Sequence, residues 1–164
     1  MARLFVALAV GFLVAAVGVG LSGGPPTAQT SGDADGATVL NPFPDGDLSE
    51  PVTYVHVGDR SDSPVAVAVL NDGPSRSVPV TVRHRPSNAT LYEQRVGLPT
   101  TGSVVVLFYR PDSYRVTVAT DEGASGVSID GTAFDCNDRT VGLVLEPDGT
   151  TTERAISTSM DCGG

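Results

Sequence analysis

Ser103-Val-Val-Val-Leu-Phe-Tyr-Arg110, then Pro111-Asp112, then Ser113-Tyr-Arg-Val-Thr-Val-Ala-Thr120 decides how this chain folds. The first run is apolar at nearly every position and rich in β-branched residues, which reads as the strongest strand of the chain. Pro111-Asp112 is a turn signal. The second run alternates: Tyr114, Val116 and Val118 point one way, Arg115 and Thr117 the other. That is the period of a strand with one face in a core. Two strands around a short turn point to an all-β domain.

The same texture extends in both directions. Pro51–Gly58 alternates, with Val52, Tyr54 and His56 on one face and Thr53, Val55 and Val57 on the other. Ser63–Asn71 is almost wholly apolar and predicts a strand covered on both faces. Asn71-Asp72-Gly73-Pro74 turns the chain, and Val78, Val80 and Val82 then alternate with Pro79, Thr81 and Arg83. Pro86-Ser87-Asn88 leads into a strand over 90–96. Residues 122–125 read as loop and 128–133 as a weak strand. Two more strands, 140–145 and 150–158, flank Pro147-Asp148-Gly149. No stretch beyond residue 36 has helical periodicity. Eight or nine short strands with turn residues between them predict an antiparallel β-sandwich, with a closed barrel as the alternative.

Upstream, the texture is different. Leu4–Leu21 carries no charge and follows Arg3. As a helix at about 1.5 Å per residue it would span about 27 Å, close to a bilayer's hydrocarbon core. It is longer than the apolar part of most signal peptides, and no clean small-x-small cleavage site follows it. Residues 1–21 are therefore expected to be a signal anchor in the membrane, or else a cleaved signal peptide. Both place the remainder outside the cell, since Arg3 stays inside. No Cys closes the run and no Arg pair precedes it, which disfavours a lipid anchor and twin-arginine export. Residues 22–36 hold no large apolar side chain and are expected to be a disordered linker before a domain spanning 37–164.

The charge fits an exterior setting. The basic residues are ten arginines with no lysine, against 19 acids, for a net charge of −9. Such self-repulsion is relieved at molar salt, where the Debye length falls to about 3 Å. Lysine avoidance with aspartate excess resembles the surfaces of proteins from extremely halophilic archaea. It argues against nucleic acid as a partner, because phosphate binding needs clustered cations.

Leu98-Pro99-x-x-Gly102-Ser103, followed by Phe108-Tyr109-Arg110-Pro111-Asp112-Ser113-Tyr114-x-Val116-x-Val118, resembles the middle of CARDB-type and related immunoglobulin-like domains of archaeal extracytoplasmic proteins. The family's turn glycine before the tyrosine is replaced here by Asp112-Ser113. The resemblance implies an Ig-like sandwich. It also implies that Tyr114 takes the place of a tyrosine corner, its hydroxyl bonding back to the chain upstream.

Cys136 and Cys162 are the only cysteines. If Glu146 pairs with Thr150 across the last turn, cross-strand partners sum to 296. The cysteines sum to 298, one diagonal step from facing each other on the same side of the ribbon. An even count in an exterior protein predicts a disulfide, worth roughly 3–4 kcal/mol for a loop of this length.

Chemistry-bearing motifs are sparse. His56 and His84 are the only histidines, and both sit in strand patterns. No nucleophile-elbow motif is present, so no catalytic residues are assigned. The acidic runs Asp45-Gly46-Asp47, Asp59-x-x-Asp62 and Asp135-x-x-Asp138 lack the spacing of an EF-hand, and no metal or other cofactor is expected. Asn88-Ala89-Thr90 is an N-glycosylation sequon at a predicted turn. The expected function is a non-catalytic cell-surface domain, structural, adhesive or accessory in binding, with a surface protein or glycan as partner. A secreted hydrolase, or a Ca²⁺- or small-ligand-binding module, is the alternative.

Overall fold

The computed structural model describes residues 24–43, 51–60 and 63–159. The apolar run 4–21 lies outside them, as does Cys162. Among the described residues no helix is long and apolar enough to cross a membrane.

Among the described residues ten strands form two sheets: β1 (Ala28–Ser31), β2 (Thr53–Val57), β3 (Val65–Asn71), β4 (Arg76–His84), β5 (Ala89–Leu98), β6 (Ser103–Phe108), β7 (Tyr114–Thr120), β8 (Gly123–Ile129), β9 (Arg139–Leu145) and β10 (Thr151–Ser157). The larger sheet has the order β1-β2-β6-β3-β9-β10 and the smaller β5-β4-β7-β8. The chain is thus a β-sandwich. Its inner core joins Val55 and Val57, the odd-numbered valines of β3, Val78, Val80 and Val82 of β4, and Tyr114, Val116 and Val118 of β7. The facing expected from alternation in β4 and β7 is the observed one, and of the two faces separated in β2 the one with Val55 and Val57 turns inward.

The larger sheet is mixed and not antiparallel throughout. β2 pairs parallel with β6, and β3 with β9. Parallel strands need both faces covered, and β3 and β6 are buried at every position. The outer cover comes from the N-terminal segment. Ala34, Ala37, Val39 and Phe43 pack over Ala66, Ala68, Val105, Leu107 and Val144. The Leu40 N–H donates to Thr140 Oγ1 at 3.0 Å. Gly142 admits this strap, because a Cβ there would lie 2.6 Å from the Phe43 ring.

Residues 22–36 were expected as a disordered linker, and the structure corrects this where it describes them. Ala28–Ser31 adds to the sheet edge, antiparallel to β2. An edge strand gains its ladder of backbone hydrogen bonds without needing a hydrophobic face of its own, so Gln29 and Thr30 do not forbid it. The stretch 122–125, expected as loop, belongs partly to β8, which starts at Gly123 and ends at Ile129. Its small residues allow close pairing: a Cβ on Gly126 would lie 2.4 Å from the Val116 carbonyl. The last hairpin has the expected register, Thr151 opposite Leu145.

Candidate functional site

The registers align Ala28, Val57, Phe108, Val65, Arg139 and Ser157 in one row across the larger sheet. The chain therefore enters the sandwich and leaves β10 at the same end. The end of β4 and the start of β7 belong to this end as well, since the Tyr114 hydroxyl donates to the Arg110 carbonyl at 3.0 Å. That backward bond is the one a tyrosine corner makes. Tyr114 is fully buried and stacks on Phe108 with centroids 4.5 Å apart. Burial, reinforced by the nearby Asp112 charge, pushes its hydroxyl pKa up to about 12.

Beside Tyr114, the β4–β5 hairpin gathers His84, Ser87 and Asp112. His84 Nε2 lies 2.8 Å from Asp112 Oδ2, and Nδ1 lies 2.7 Å from Ser87 Oγ. A carboxylate only accepts, so Nε2 carries a proton. In the neutral ring Nδ1 then accepts the Ser87 hydroxyl proton. The hydrogen bond from His84 holds the Asp112 carboxyl below its ordinary range, helped by the Ser113 N–H at 2.8 Å. His84 is buried while Ser87 is exposed. Asn88, the sequon residue, is exposed at the hairpin tip in the left-handed region at φ 54°. Asparagine tolerates that conformation better than most residues.

His56 makes a second cluster on the outer face of the larger sheet. It is 2% exposed and stacks on Tyr109 at 5.8 Å and 4°. Its Nδ1 is 2.9 Å from the Tyr109 hydroxyl, and its Nε2 lies 2.8 Å from Ser31 Oγ and 3.2 Å from the Asp33 carbonyl. The Ser31 hydroxyl itself donates to that carbonyl at 2.6 Å. Asp35 pairs with Arg60 and stands 3.9 Å from the ring. Burial pushes the Tyr109 hydroxyl pKa up, and Asp35 adds to it.

The remaining sequence candidates fall apart spatially. Cys136 is half-buried between the short 3-10 turn Gly131–Ala133 and β9, and its expected partner Cys162 lies outside the described residues. Asp135 receives the Asn137 N–H at 2.8 Å, which lowers its pKa. Among the described residues no group of three or more His, Cys, Asp or Glu side chains is placed to hold a metal ion. Sequence reasoning passed over Ser87 and Asp112, which it read as turn residues. The signal was the pairing of β4 with β7, His84 opposite Tyr114, which puts Asp112 beside the ring.

No protein-family model and no curated protein matches this chain. Among solved structures, the sandwich is similar to sea bream transthyretin in complex with thyroxine, at TM-score 0.39 and 18% identity over 60% of this chain and 98% of that one. It is similar also to transthyretin from Sparus aurata, at TM-score 0.39 and 19% identity over 58% and 98%. At these values the likeness carries no functional argument.

Proposed function

We propose that this chain is a non-catalytic surface domain of the CARDB-like, immunoglobulin-related kind. It is anchored or exported through residues 4–21 and displayed outside a halophilic archaeal cell. The observation that supports this best is the shared end of entry and exit. Residues 24–27 and the strand end at Ser157 emerge together, and the opposite end of the sandwich is left to face outward. The Gly24 carbonyl, bound by Arg110 at 3.2 Å, fixes the entry. The exposed sequon Asn88 stands at the entry end. A Cys136–Cys162 bridge would close the exit, and among the described residues no cysteine is free.

The test is topology in the native cell. The full chain should stay with washed membranes, its Asn88 carry glycan, and its intact mass be about 2 Da light from the disulfide. A cytoplasmic chain whose thiols alkylate without reductant would overturn the reading. A second reading, a secreted hydrolase, is favoured by one observation: the Ser87–His84–Asp112 chain has the order nucleophile, base, orienting carboxylate. In that reading Ser87 Oγ attacks an ester carbonyl, its proton passes to His84 Nδ1 and then to the leaving alcohol, and water releases the acyl group.

A further inference from the structure

β4 is a central strand of the smaller sheet and yet contains Pro79. Proline has no amide hydrogen to give a ladder. The β4–β7 pairing accordingly stops at Val80 opposite Val118. Beyond it, residues 76–79 keep only β5 as partner, and Ala119 and Thr120 keep only β8. The sheet splits into two hairpins, and a groove of about 440 Å³ opens at the split. That volume is in the range of ligand sites. It lies at the end away from residues 24–27 and Ser157.

The walls are sorted by charge. Arg76 and Arg95 stand on the β4–β5 side, with Asp121, Glu122 and Asp148 on the turns opposite. They are also held in place. The Arg76 guanidinium donates to the Glu146 carbonyl at 3.0 Å, and a side chain at Gly73 would overlap it. Arg95 donates to the Ser77 carbonyl at 3.0 Å. Thr120 Oγ1 donates to the Gly149 carbonyl at 3.0 Å, tying the two acidic turns together. Each arginine has five N–H donors and spends only some of them on these bonds.

We infer that this split in the sheet is a docking groove for an extended polypeptide segment of a partner, one bearing both an acidic and a basic side chain. Strand edges without a ladder favour a peptide, whose main chain can bond to them. Two walls of opposite sign favour mixed charge. An isolated phosphate would be repelled by the acids, and a sugar would find no aromatic face, since none of the lining residues is aromatic. The inference rests on the surface-display reading only for the groove's outward orientation.

The test is titration of the ¹⁵N-labelled full chain in detergent and molar KCl with four blocked tetrapeptides: Asp-Ala-Arg-Ala, Asp-Ala-Asp-Ala, Arg-Ala-Arg-Ala and Ala-Ala-Ala-Ala. The mixed peptide should shift amides within 75–78, 119–123 and 148–150, and bind at least about tenfold more tightly than the others. Arg95→Glu and Asp121→Lys, both at exposed positions, should each weaken it by about tenfold while leaving the other amide signals in place. Equal binding of all four peptides, no shift at millimolar mixed peptide, or the same shifts from N-acetylglucosamine would overturn the proposal. Membrane fractionation reads the display hypothesis separately, so either can fail alone.

Discussion

The two histidines of this chain keep similar company and do opposite things. Each has a serine oxygen within 2.8 Å, an aspartate nearby and a tyrosine ring against it. At His56 the Ser31 proton is spent on the Asp33 carbonyl, so the ring must donate to the serine. At His84 the ring donates its Nε2–H to the aspartate, and in the neutral ring the free Nδ1 lone pair faces Ser87. One arrangement can only hold structure together. The other has the polarity of a general base. Residue types do not separate them; the direction of a single hydrogen bond does.

The largest effect should come from His56. It pins β1 and the strap to the larger sheet, and its removal orphans the Tyr109 hydroxyl in a buried site. His56→Ala should cost about 3 kcal/mol, combining a cavity with unpaired polar groups. Chemical denaturation at molar salt would measure it, and amide exchange should speed up first in Ala28–Ser31. A loss under about 1 kcal/mol would mean the strap is held by its apolar contacts alone.

This cluster also marks how far the sequence could be read. Alternation identified the inward faces of β4 and β7 and separated the two faces of β2, because one face of each meets a core. The apolar run at 65–70 announced cover on both sides, and the one at 103–108 announced a strong strand. They did not say that the cover was 34–43, where the only large apolar residues are Val39, Leu40 and Phe43, nor that covering both faces would admit parallel neighbours. Strand pairing is non-local, and the residues that touch His84 are set by the register of β4 on β7. Ser87 lies three residues away and was visible. Asp112 lies 28 residues away across a sheet, and no spacing rule reaches it.

The next effect belongs to Asp112. Its carboxyl is held below the ordinary value in the folded state, chiefly by His84. A depressed carboxylate adds stability above its unfolded pKa near ~3.9, and that stability is lost as pH falls through the folded value. Asp112→Asn should therefore cost roughly 1–2 kcal/mol near neutral pH and progressively less as the medium is acidified below about pH 4. Unfolding midpoints across that range would show it. A penalty that is constant with pH would mean the carboxylate's charge does nothing for the hairpin.

Tyr114 sharpens the same comparison from the alkaline side. Its pKa stands at about 12 in the fold and near ~10 in the unfolded chain. Between those values the unfolded state has released a proton that the folded state keeps, so stability falls as pH rises. Tyr114→Phe should remove the largest part of that alkaline slope and leave the part due to Tyr92 and Tyr109, whose hydroxyl pKa values burial also raises. At neutral pH it should cost about 1 kcal/mol, the worth of the bond to Arg110. A slope undiminished in the phenylalanine variant would assign it to the other tyrosines.

The smallest change in stability carries the most functional weight. Ser87 is exposed, and its loss frees only the tip of a hairpin, so Ser87→Ala should move stability by less than about 0.5 kcal/mol. What it should not do is abolish an activity. A serine becomes a useful nucleophile when a base accepts its proton and donors stabilise the oxyanion that follows. The first condition is met at 2.7 Å. For the second, the Ala89 N–H points at the serine oxygen itself, at 3.4 Å, and the Asn88 N–H is directed to the Arg85 carbonyl. A base without such donors should leave Ser87 slow towards a fluorophosphonate probe, with the full chain labelling no faster than Ser87→Ala. Stoichiometric labelling, lost in both Ser87→Ala and His84→Ala, would reverse the assignment. The hairpin would then be a hydrolytic site, and the surface-domain reading would give way to the secreted hydrolase.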